Sequence, residues 1–251
     1  MAVDERAGTL PLAITGVSAA YGKKQVLTDI TFNVRPAEVF GLVGLNGAGK
    51  TTLIRSILNL RTSTGDISLF GAANTSAKAR QNLIYLPERF SPPVQLKGFE
   101  YLSILLEYFG QRLERESAKT TAANLDLDPH ALSRSVRTYS KGMGQKLGLI
   151  GSFLVDARLM VLDEPMSGLD PRARVFLKDR LMGARTAGRS VFFSSHILSD
   201  IEEICDRIGV LHGGRIIFLG APRDFTTQYA APSLERAFLA ALERTDSPAP
   251  D

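Results

Sequence analysis

A glycine-rich segment that ends in lysine and threonine carries the first chemistry in the sequence. Residues 44–51 have the sequence Gly-Leu-Asn-Gly-Ala-Gly-Lys-Thr, which satisfies the pattern G-x4-G-K-[ST]. Glycines let backbone amides surround a polyphosphate, and the amino terminus of a following helix favours its negative charge. We expect Lys50 to reach the β and γ phosphates and the Thr51 hydroxyl to bind Mg²⁺. An accidental match has a probability of about 1% in such a chain, so the segment predicts a nucleotide site.

Two adjacent carboxylates follow an apolar run later in the chain. Asp163 and Glu164 come directly after residues 159–162, Leu-Met-Val-Leu. At the end of a strand, the first acid can hold the magnesium shell and the second can polarise an attacking water. Taken alone, an apolar strand that ends in solvated acids is an equally good interpretation. The phosphate loop earlier in the chain favours the catalytic one.

The elements around these motifs alternate between strands and helices. Residues 39–43 have the pattern of a buried strand, and residues 50–60 have helical spacing. Two strands within residues 12–34, joined by a turn around residues 22–24, form an antiparallel element at the N-terminus. Further strands are predicted at 66–70, 82–86, 159–162 and 190–194, and a helix at 172–182. The alternation indicates an α/β fold: a P-loop core with a mainly parallel sheet.

Residues 91–145 depart from this alternation and predict an inserted helical subdomain, with helices at 98–108 and 114–125. Residues 208–218 form two apolar runs around Gly213 and Gly214, which is typical of a hairpin. A last helix at 234–242 precedes a proline-rich acidic tail. We expect one domain over residues 1–251, with a core at about 12–90 and 146–225 and a C-terminal helix and tail at 226–251.

The composition of the chain excludes several classes of protein. Its 251 residues are 44% hydrophobic and 22% charged, which excludes a fibrous or disordered chain, and the net charge of +4 is only weak support for an anionic partner. The single cysteine, Cys205, forms no internal disulfide, and the three histidines lack metal-ligand spacing. The N-terminus lacks the basic-then-apolar order of a secretory signal, and the apolar stretch at 147–155 is far shorter than the ~18 residues of a membrane span. These features favour a cytoplasmic location.

Three further motifs stand in a fixed order around the two acids. Residues 139–143 are Tyr-Ser-Lys-Gly-Met, residues 167–170 are Ser-Gly-Leu-Asp, and His196 ends the apolar run that begins at Phe192. With these motifs the chain resembles the ATP-binding cassette (ABC) ATPases. The resemblance extends from Leu12 to about Phe225.

The resemblance implies roles for individual residues. Tyr21 matches the aromatic residue that stacks on adenine, Asp163 the magnesium-shell acid, Glu164 the catalytic carboxylate and His196 the residue that contacts the γ-phosphate beside Lys50. Ser140 and Gly142 belong to the signature loop, which in this family caps the γ-phosphate of the opposite subunit, and residues 167–170 resemble the loop that crosses the dimer interface. The phosphate-binding segment comprises Gly44, Leu45, Asn46, Gly47, Ala48, Gly49, Lys50, Thr51 and Thr52.

Three positions depart from the usual family pattern. Lys141 replaces a glycine, Met143 replaces a glutamine, and Glu88 stands where glutamine is more common. Glu88 remains a candidate for binding both the nucleotide and Mg²⁺. The Leu-Pro-Glu and Ser-Lys-Gly-Met variants are similar to those of cassettes that serve separately encoded permeases of exporter type.

The family resemblance implies an ATP-hydrolysing subunit that uses ATP and Mg²⁺. Two copies, or this chain and a homologue, would close over two Mg-ATP molecules and drive a polytopic membrane permease, with the subunit peripheral on the inner face of the cell membrane and no nucleic-acid partner. The alternative is a cassette ATPase that acts on DNA or ribosomes, and a single cassette without zinc-type cysteine pairs or a long heptad arm speaks against it. A P-loop kinase would leave the signature loop and His196 unexplained.

Overall fold

The strands of the chain form two sheets. A computed structural model describes residues 9–246. The strands are β1 (Leu12–Tyr21), β2 (Lys24–Val34), β3 (Val39–Val43), β4 (Thr64–Leu69), β5 (Ala72–Ala73), β6 (Leu83–Leu86), β7 (Leu159–Asp163), β8 (Ser190–Ser195), β9 (Arg207–His212) and β10 (Arg215–Gly220). One sheet is antiparallel, with the order β2-β1-β4-β5, and the other has the order β10-β9-β3-β8-β7-β6. Five strands of the larger sheet run parallel, and β10 pairs antiparallel with β9.

The predicted α/β fold with an antiparallel N-terminal element is confirmed, with one difference in strand placement. The strand expected at 66–70 is β4, which pairs antiparallel with β1 instead of joining the parallel strands. Its first three residues are exposed, whereas Ile67 and Leu69, which share one face of the strand, are buried. The strands β3, β7 and β8 are buried along their whole length, as expected for a parallel sheet that is covered on both faces.

The helices lie on both sides of the parallel sheet. They are α1 (Lys50–Ile57), α2 (Ala77–Arg80), α3 (Gly98–Tyr108), α4 (Arg115–Ala123), α5 (Lys141–Leu154), α6 (Pro171–Thr186), α7 (Leu198–Ile204), α8 (Pro222–Gln228) and α9 (Leu234–Asp246), with 3₁₀ turns at Pro129–Ser133 and Val136–Thr138. Helix α1 ends before the predicted residue 60 because Asn59 adopts a left-handed backbone conformation, with φ of +55°. Helix α9 continues past the predicted residue 242 to Asp246. Most of the predicted proline-rich tail and the first eight residues, on which the expectation about a secretory signal rests, lie outside the described residues.

Apolar side chains fill the space on each face of the larger sheet. Between the two sheets, Phe32, Phe40 and Phe192 stack with ring centroids 5.0–5.9 Å apart. A second cluster on the opposite face joins the sheet to α5, α6, α7 and α9. Because the parallel strands share one direction, the segments after β3, β7 and β8 meet at the same edge of the sheet. This edge receives the phosphate loop, the two acids and His196.

Helix α5 packs closely against the end of β6 in the parallel sheet. A Cβ atom on Gly148 would lie 2.6 Å from Leu86 Cδ1 and 2.7 Å from Phe90 Cδ1, so α5 lies directly against the end of β6. The helix runs from 141 to 154, and the subdomain boundary predicted at 145 therefore falls inside one helix. The division into core and helical subdomain stays a prediction.

A half-buried arginine holds the carboxyl end of α5. The Arg189 guanidinium donates hydrogen bonds to the carbonyl oxygens of Ser152 (3.0 Å), Phe153 (3.2 Å) and Ala157 (2.8 Å). Helix carbonyls at this end have no partner within the helix, and Arg189 satisfies two of them from the start of β8. Burial lowers the pKa of Arg189 to about 10.

Within residues 9–246, none of the helices combines the length and the apolar content that a membrane span requires.

Candidate nucleotide site

The phosphate loop joins β3 to α1 and depends on three glycines. Gly47 and Gly49 have φ of +86° and +112°, a conformation that residues with a side chain rarely adopt. A Cβ atom on Gly44 would lie 2.6 Å from the Leu211 carbonyl oxygen, so backbone would have to move to admit any side chain there. Residues 45–47 are exposed at the start of α1. The loop therefore presents backbone to a ligand at the positive end of a helix.

Lys50 is buried at the first position of α1, with only 6% of its side chain exposed. Its ammonium group donates a hydrogen bond to the Gly44 carbonyl at 2.7 Å and lies 3.2 Å from Glu164 Oε1. A buried cation at the end of the phosphate loop is what a bound triphosphate needs for charge compensation.

The two acids at the end of β7 share one serine but have different partners. Asp163 accepts hydrogen bonds from the Thr51 hydroxyl at 2.9 Å and from the Ser194 hydroxyl at 2.6 Å. The same Ser194 oxygen accepts a bond from the Glu164 backbone N–H at 2.9 Å, where Glu164 has φ of +49°. Ser194 thus stabilises both the position of Asp163 and the unusual backbone turn that directs Glu164 away from it. Ser194 was not among the residues predicted for the site.

Glu164 joins the phosphate loop to His196. His196 Nδ1 lies 2.8 Å from Glu164 Oε2, and 45% of the histidine side chain is exposed. Among the described residues, the buried Oε1 of Glu164 has no hydrogen-bond partner despite its proximity to Lys50. This oxygen forms an ion pair with Lys50 but no hydrogen bond within residues 9–246, so it can still accept a hydrogen bond from a water or a ligand in the cavity.

These groups surround a cavity of about 380 Å³. Ten of its twelve lining residues were predicted as site residues. They are Leu45, Asn46, Gly47, Gly49, Lys50, Thr51, Thr52, Glu88, Glu164 and His196. Two lining residues were missed, Val26 and Arg89. Arg89 could have been predicted to line the cavity from its positive charge and its position next to Glu88. Nothing in the sequence of β2 indicates that Val26 does so.

The oxygen donors present at the site fit magnesium. Thr51 supplies a hydroxyl and Asp163 a carboxylate at adjacent positions. In the described part of the chain no group of three or more His, Cys, Asp and Glu residues could hold a metal ion by itself. Mg²⁺ commonly takes one or two protein carboxylates together with phosphate oxygens and water, so this sparse donor set suits it. Glu88 is exposed and lines the same cavity, where it stays a candidate ligand.

Tyr21 stands beside the cavity at the end of β1. Hydrogen bonds to its hydroxyl, above all the one with the Thr52 side chain, lower the pKa of Tyr21. Thr52 belongs to the phosphate-binding segment and lines the cavity, so Tyr21 lies next to this segment. The Arg61 guanidinium lies over the ring, with Cζ 3.3 Å from the ring centroid.

The chain does not bring the signature loop into its own cavity. Ser140 caps α5 by accepting a hydrogen bond from the Met143 N–H at 3.2 Å, and it is exposed. A Cβ atom on Gly142 would lie 3.6 Å from the Gly168 carbonyl, so this loop neighbours residues 167–170. Neither Ser140 nor Gly142 lines the phosphate-loop cavity.

Lys146 lies on α5, the helix that begins in the signature loop, and links this helix to the segment that follows Glu164. Its ammonium group donates to the Asp126 carbonyl oxygen at 2.8 Å and lies 3.3 Å from Asp126 Oδ2 and 3.4 Å from Asp170 Oδ2. Asp170 also caps α6 by accepting a bond from the Ala173 N–H at 2.9 Å. The bond from the Ala173 N–H, and to a smaller extent the positive charge of Lys146, lower the pKa of Asp170.

Comparison with known proteins decides the family. The sequence profile described as ABC transporter matches residues 27–167, which include the phosphate loop, the signature loop and both acids. The chain belongs to the ABC transporter family. The family predicted from the motif order is thereby confirmed, and a P-loop kinase or a cassette without a transport role is not favoured.

Several ATP-binding proteins of ABC transporters are similar over most of the chain. Nod factor export ATP-binding protein I of Rhizobium etli is 33% identical over 225 residues, which are 88% of this chain and 71% of that protein. Linearmycin resistance ATP-binding protein LnrL of Bacillus subtilis is 29% identical over 246 residues, 92% of this chain and 78% of that protein. An ABC transporter ATP-binding protein of Synechocystis is 36% identical over 204 residues, 79% of this chain. The match spans only 57% of the length of that cyanobacterial relative.

Solved structures of ABC proteins have the same fold. The structure of an ATP-binding subunit of an ABC transporter superposes with a TM-score of 0.85 at 31% identity and covers 93% of this chain and all of that one. A bacterial Atm1-family ABC exporter with ATP bound gives a TM-score of 0.78, covering 98% of this chain and 43% of that one. At 18% identity the second likeness concerns the fold alone.

Proposed function

We propose that the chain binds and hydrolyses ATP with Mg²⁺ and that hydrolysis drives transport through a separate membrane permease. The observation that carries the proposal is the division between the two acids at the end of β7. Asp163 is bonded to Thr51, whereas Glu164 lies between Lys50 and His196. This division supports a metal-binding role for Asp163 and a water-activating role for Glu164.

The residues on the phosphate-loop side would hold the substrate. Thr51 and Asp163 would bind the magnesium ion, which offsets negative charge on the phosphates when it is bound. Lys50 and the backbone of residues 45–49 bind and orient the triphosphate. The open Oε1 of Glu164 accepts the hydrogen bond, and then the proton, of the attacking water, while Lys50 and His196 stabilise negative charge on the γ-phosphate.

The catalytic site requires a second cassette under this proposal. Ser140 and Gly142 are family candidates for γ-phosphate binding, but they lie outside the cavity of their own chain. A second copy, or a homologous cassette, would supply the same loop from the opposite side. Two chains would then enclose two ATP molecules head to tail, and closure would do mechanical work on the permease.

The names of the relatives support an exporter-type partner. They include proteins of Nod factor export and of linearmycin resistance. We therefore propose a polytopic permease of exporter type, a location on the cytoplasmic face of the membrane through that permease, and no nucleic-acid partner. An exposed groove supports a protein partner: Leu60 is 67% and Tyr108 is 85% exposed along a cavity of about 830 Å³ between the core and α3.

The division between the acids is tested with Glu164→Gln. The variant should bind Mg-ATP, hydrolyse it very slowly and accumulate as an ATP-dependent dimer in size-exclusion chromatography. Glu202→Gln, an exposed acid on α7, is the matched control and should hydrolyse ATP at the wild-type rate. A Glu164→Gln protein that stays monomeric in saturating ATP, or that turns over normally, refutes the proposed mechanism.

The partner is tested by purifying the chain from its own cells in mild detergent. A membrane protein with several spans of about 20 residues should copurify. Salt-sensitive binding to DNA or ribosomes without any membrane protein would favour the alternative function instead.

A further inference from the structure

Arg61 covers one face of the Tyr21 ring. Its Cζ atom lies 3.3 Å from the ring centroid, closer than in the other arginine–aromatic contacts of the described residues, which range from 4.8 to 5.5 Å. The same guanidinium donates a hydrogen bond through Nη2 to the carbonyl oxygen of Ala20, the residue before Tyr21. The backbone contact holds the guanidinium in place beside the ring. Arg61 is half-buried and is not a freely moving surface side chain.

The hydroxyl of Tyr21 lies near α1. The Thr52 side chain first, and then the positive charges of Arg61 and Arg55, lower the pKa of Tyr21. Arg61 thus covers one face of the ring, yet 44% of Tyr21 remains exposed. Because Arg61 occupies one face of the ring, a planar ligand can stack only on the opposite face.

We infer that Arg61 is a positioning residue for the nucleobase: it packs against one face of Tyr21 so that the opposite face is presented to the purine ring of ATP. The inference deepens the proposed function and rests on it, because it takes Tyr21 as the base-stacking residue. A planar guanidinium stacks on an aromatic ring, whereas the compact ammonium of lysine does so poorly. The positive charge of Arg61 over the Tyr21 ring adds a cation–π attraction, which a neutral residue at position 61 would lack.

The experiment compares ATP with inorganic tripolyphosphate, which carries the phosphates without a base. Affinities of the purified chain for both, with Mg²⁺, are measured by calorimetry for the wild type, Arg61→Ala, Tyr21→Ala and the double variant. Loss of the cation–π contact and of ring order should weaken ATP binding by Arg61→Ala about three- to tenfold and leave tripolyphosphate binding unchanged. In the Tyr21→Ala background the Arg61 change should add nothing, and Arg61→Lys should restore only part of the affinity.

Arg158→Ala is the matched control, because Arg158 also lies over an aromatic ring, that of Phe70, but precedes β7 at the edge of the sheet away from the phosphate loop. It should bind both ligands as the wild type does. Should Arg61→Ala fail to fold, Arg61→Gln and Arg61→Lys replace it, with thermal unfolding recorded for each.

The outcomes separate two failures. If Tyr21→Ala binds ATP as tightly as the wild type, the base site of the proposed function is misplaced and the inference falls with it. If Tyr21→Ala weakens ATP binding but the Arg61 variants do not, only the inference is overturned. Equal losses for ATP and tripolyphosphate would show a general charge effect, and tighter ATP binding by Arg61→Ala would show that the guanidinium competes with the base; both overturn the inference.

Discussion

Replacing Ser194 with alanine tests whether one hydroxyl fixes both acids of the site. The buried Ser194 Oγ donates to Asp163 at 2.6 Å and accepts from the Glu164 N–H at 2.9 Å. The bond to the charged carboxylate contributes about 1.5–3 kcal/mol and the bond from the backbone about 1 kcal/mol, so Ser194→Ala should lower the free energy of unfolding by about 3 kcal/mol. It also removes the contact that supports the positive φ of Glu164. ATP turnover should therefore fall at least about tenfold, which corresponds to roughly 1.4 kcal/mol in the barrier.

The adjacent serine provides the control. Ser195 is equally buried, but its hydroxyl accepts only the Ile197 N–H at 3.0 Å and contacts neither acid. Ser195→Ala should cost about 1 kcal/mol and leave turnover near the wild-type value. Urea unfolding measures the stabilities, and phosphate release at saturating Mg-ATP measures turnover. If the two variants have the same stability and the same turnover, Ser194 does not hold the acids and the argument from its hydrogen bonds is wrong.

Three further outcomes are expected. Glu88→Gln should keep ATP binding and most hydrolysis of the isolated subunit, because a carboxylate beside a triphosphate is repelled unless a cation or water lies between them. Glu88→Ala should weaken stimulation of hydrolysis by the permease. If the turnover of Glu88→Gln is as low as that of Glu164→Gln, Glu88 shares the catalytic role. Gly148→Ala should destabilise the fold by about 1–3 kcal/mol in urea, since its Cβ would lie 2.6–2.9 Å from side-chain atoms that must repack. Lys146→Ala should lower the unfolding free energy more than Lys146→Arg, because arginine keeps a cation near Asp126; equal losses would show that the charge is unimportant.

The residues that bind phosphate could be predicted because their chemistry is local. The glycine pattern, Lys50 and Thr51 are contiguous, and the two acids end a buried strand. The role of Ser194 was out of reach because it depends on strand register. Asp163 of β7 pairs with Ser194 of β8 in the parallel sheet, and this pairing places the serine hydroxyl beside the acid. No spacing within either strand specifies that partner.

Arg61 was missed for a similar reason. It lies 40 residues from Tyr21 in the chain and reaches it because β1 pairs with β4, which begins three residues after Arg61. The sequence placed β4 among the parallel strands, so no argument could bring Arg61 to the end of β1. In the structure Tyr21 pairs with Lys24 of β2, and Arg61 reaches its ring from the segment before β4.

The attachment of α5 by Arg189 makes this helix a lever. Ser140 lies 12 residues, or about 18 Å, from Ser152, so a rotation of about 10° around the Arg189 end would move Ser140 by about 3 Å. Ser152, close to the pivot, would hardly move. Lys146 lies about 9 Å from Ser152 and would be displaced by about 1.6 Å, which would change its distance to Asp170 Oδ2, now 3.4 Å. A rotation of α5 would therefore move the signature loop more than the Arg189 end, and through the contact of Lys146 with Asp170 it would act on the loop at 167–170.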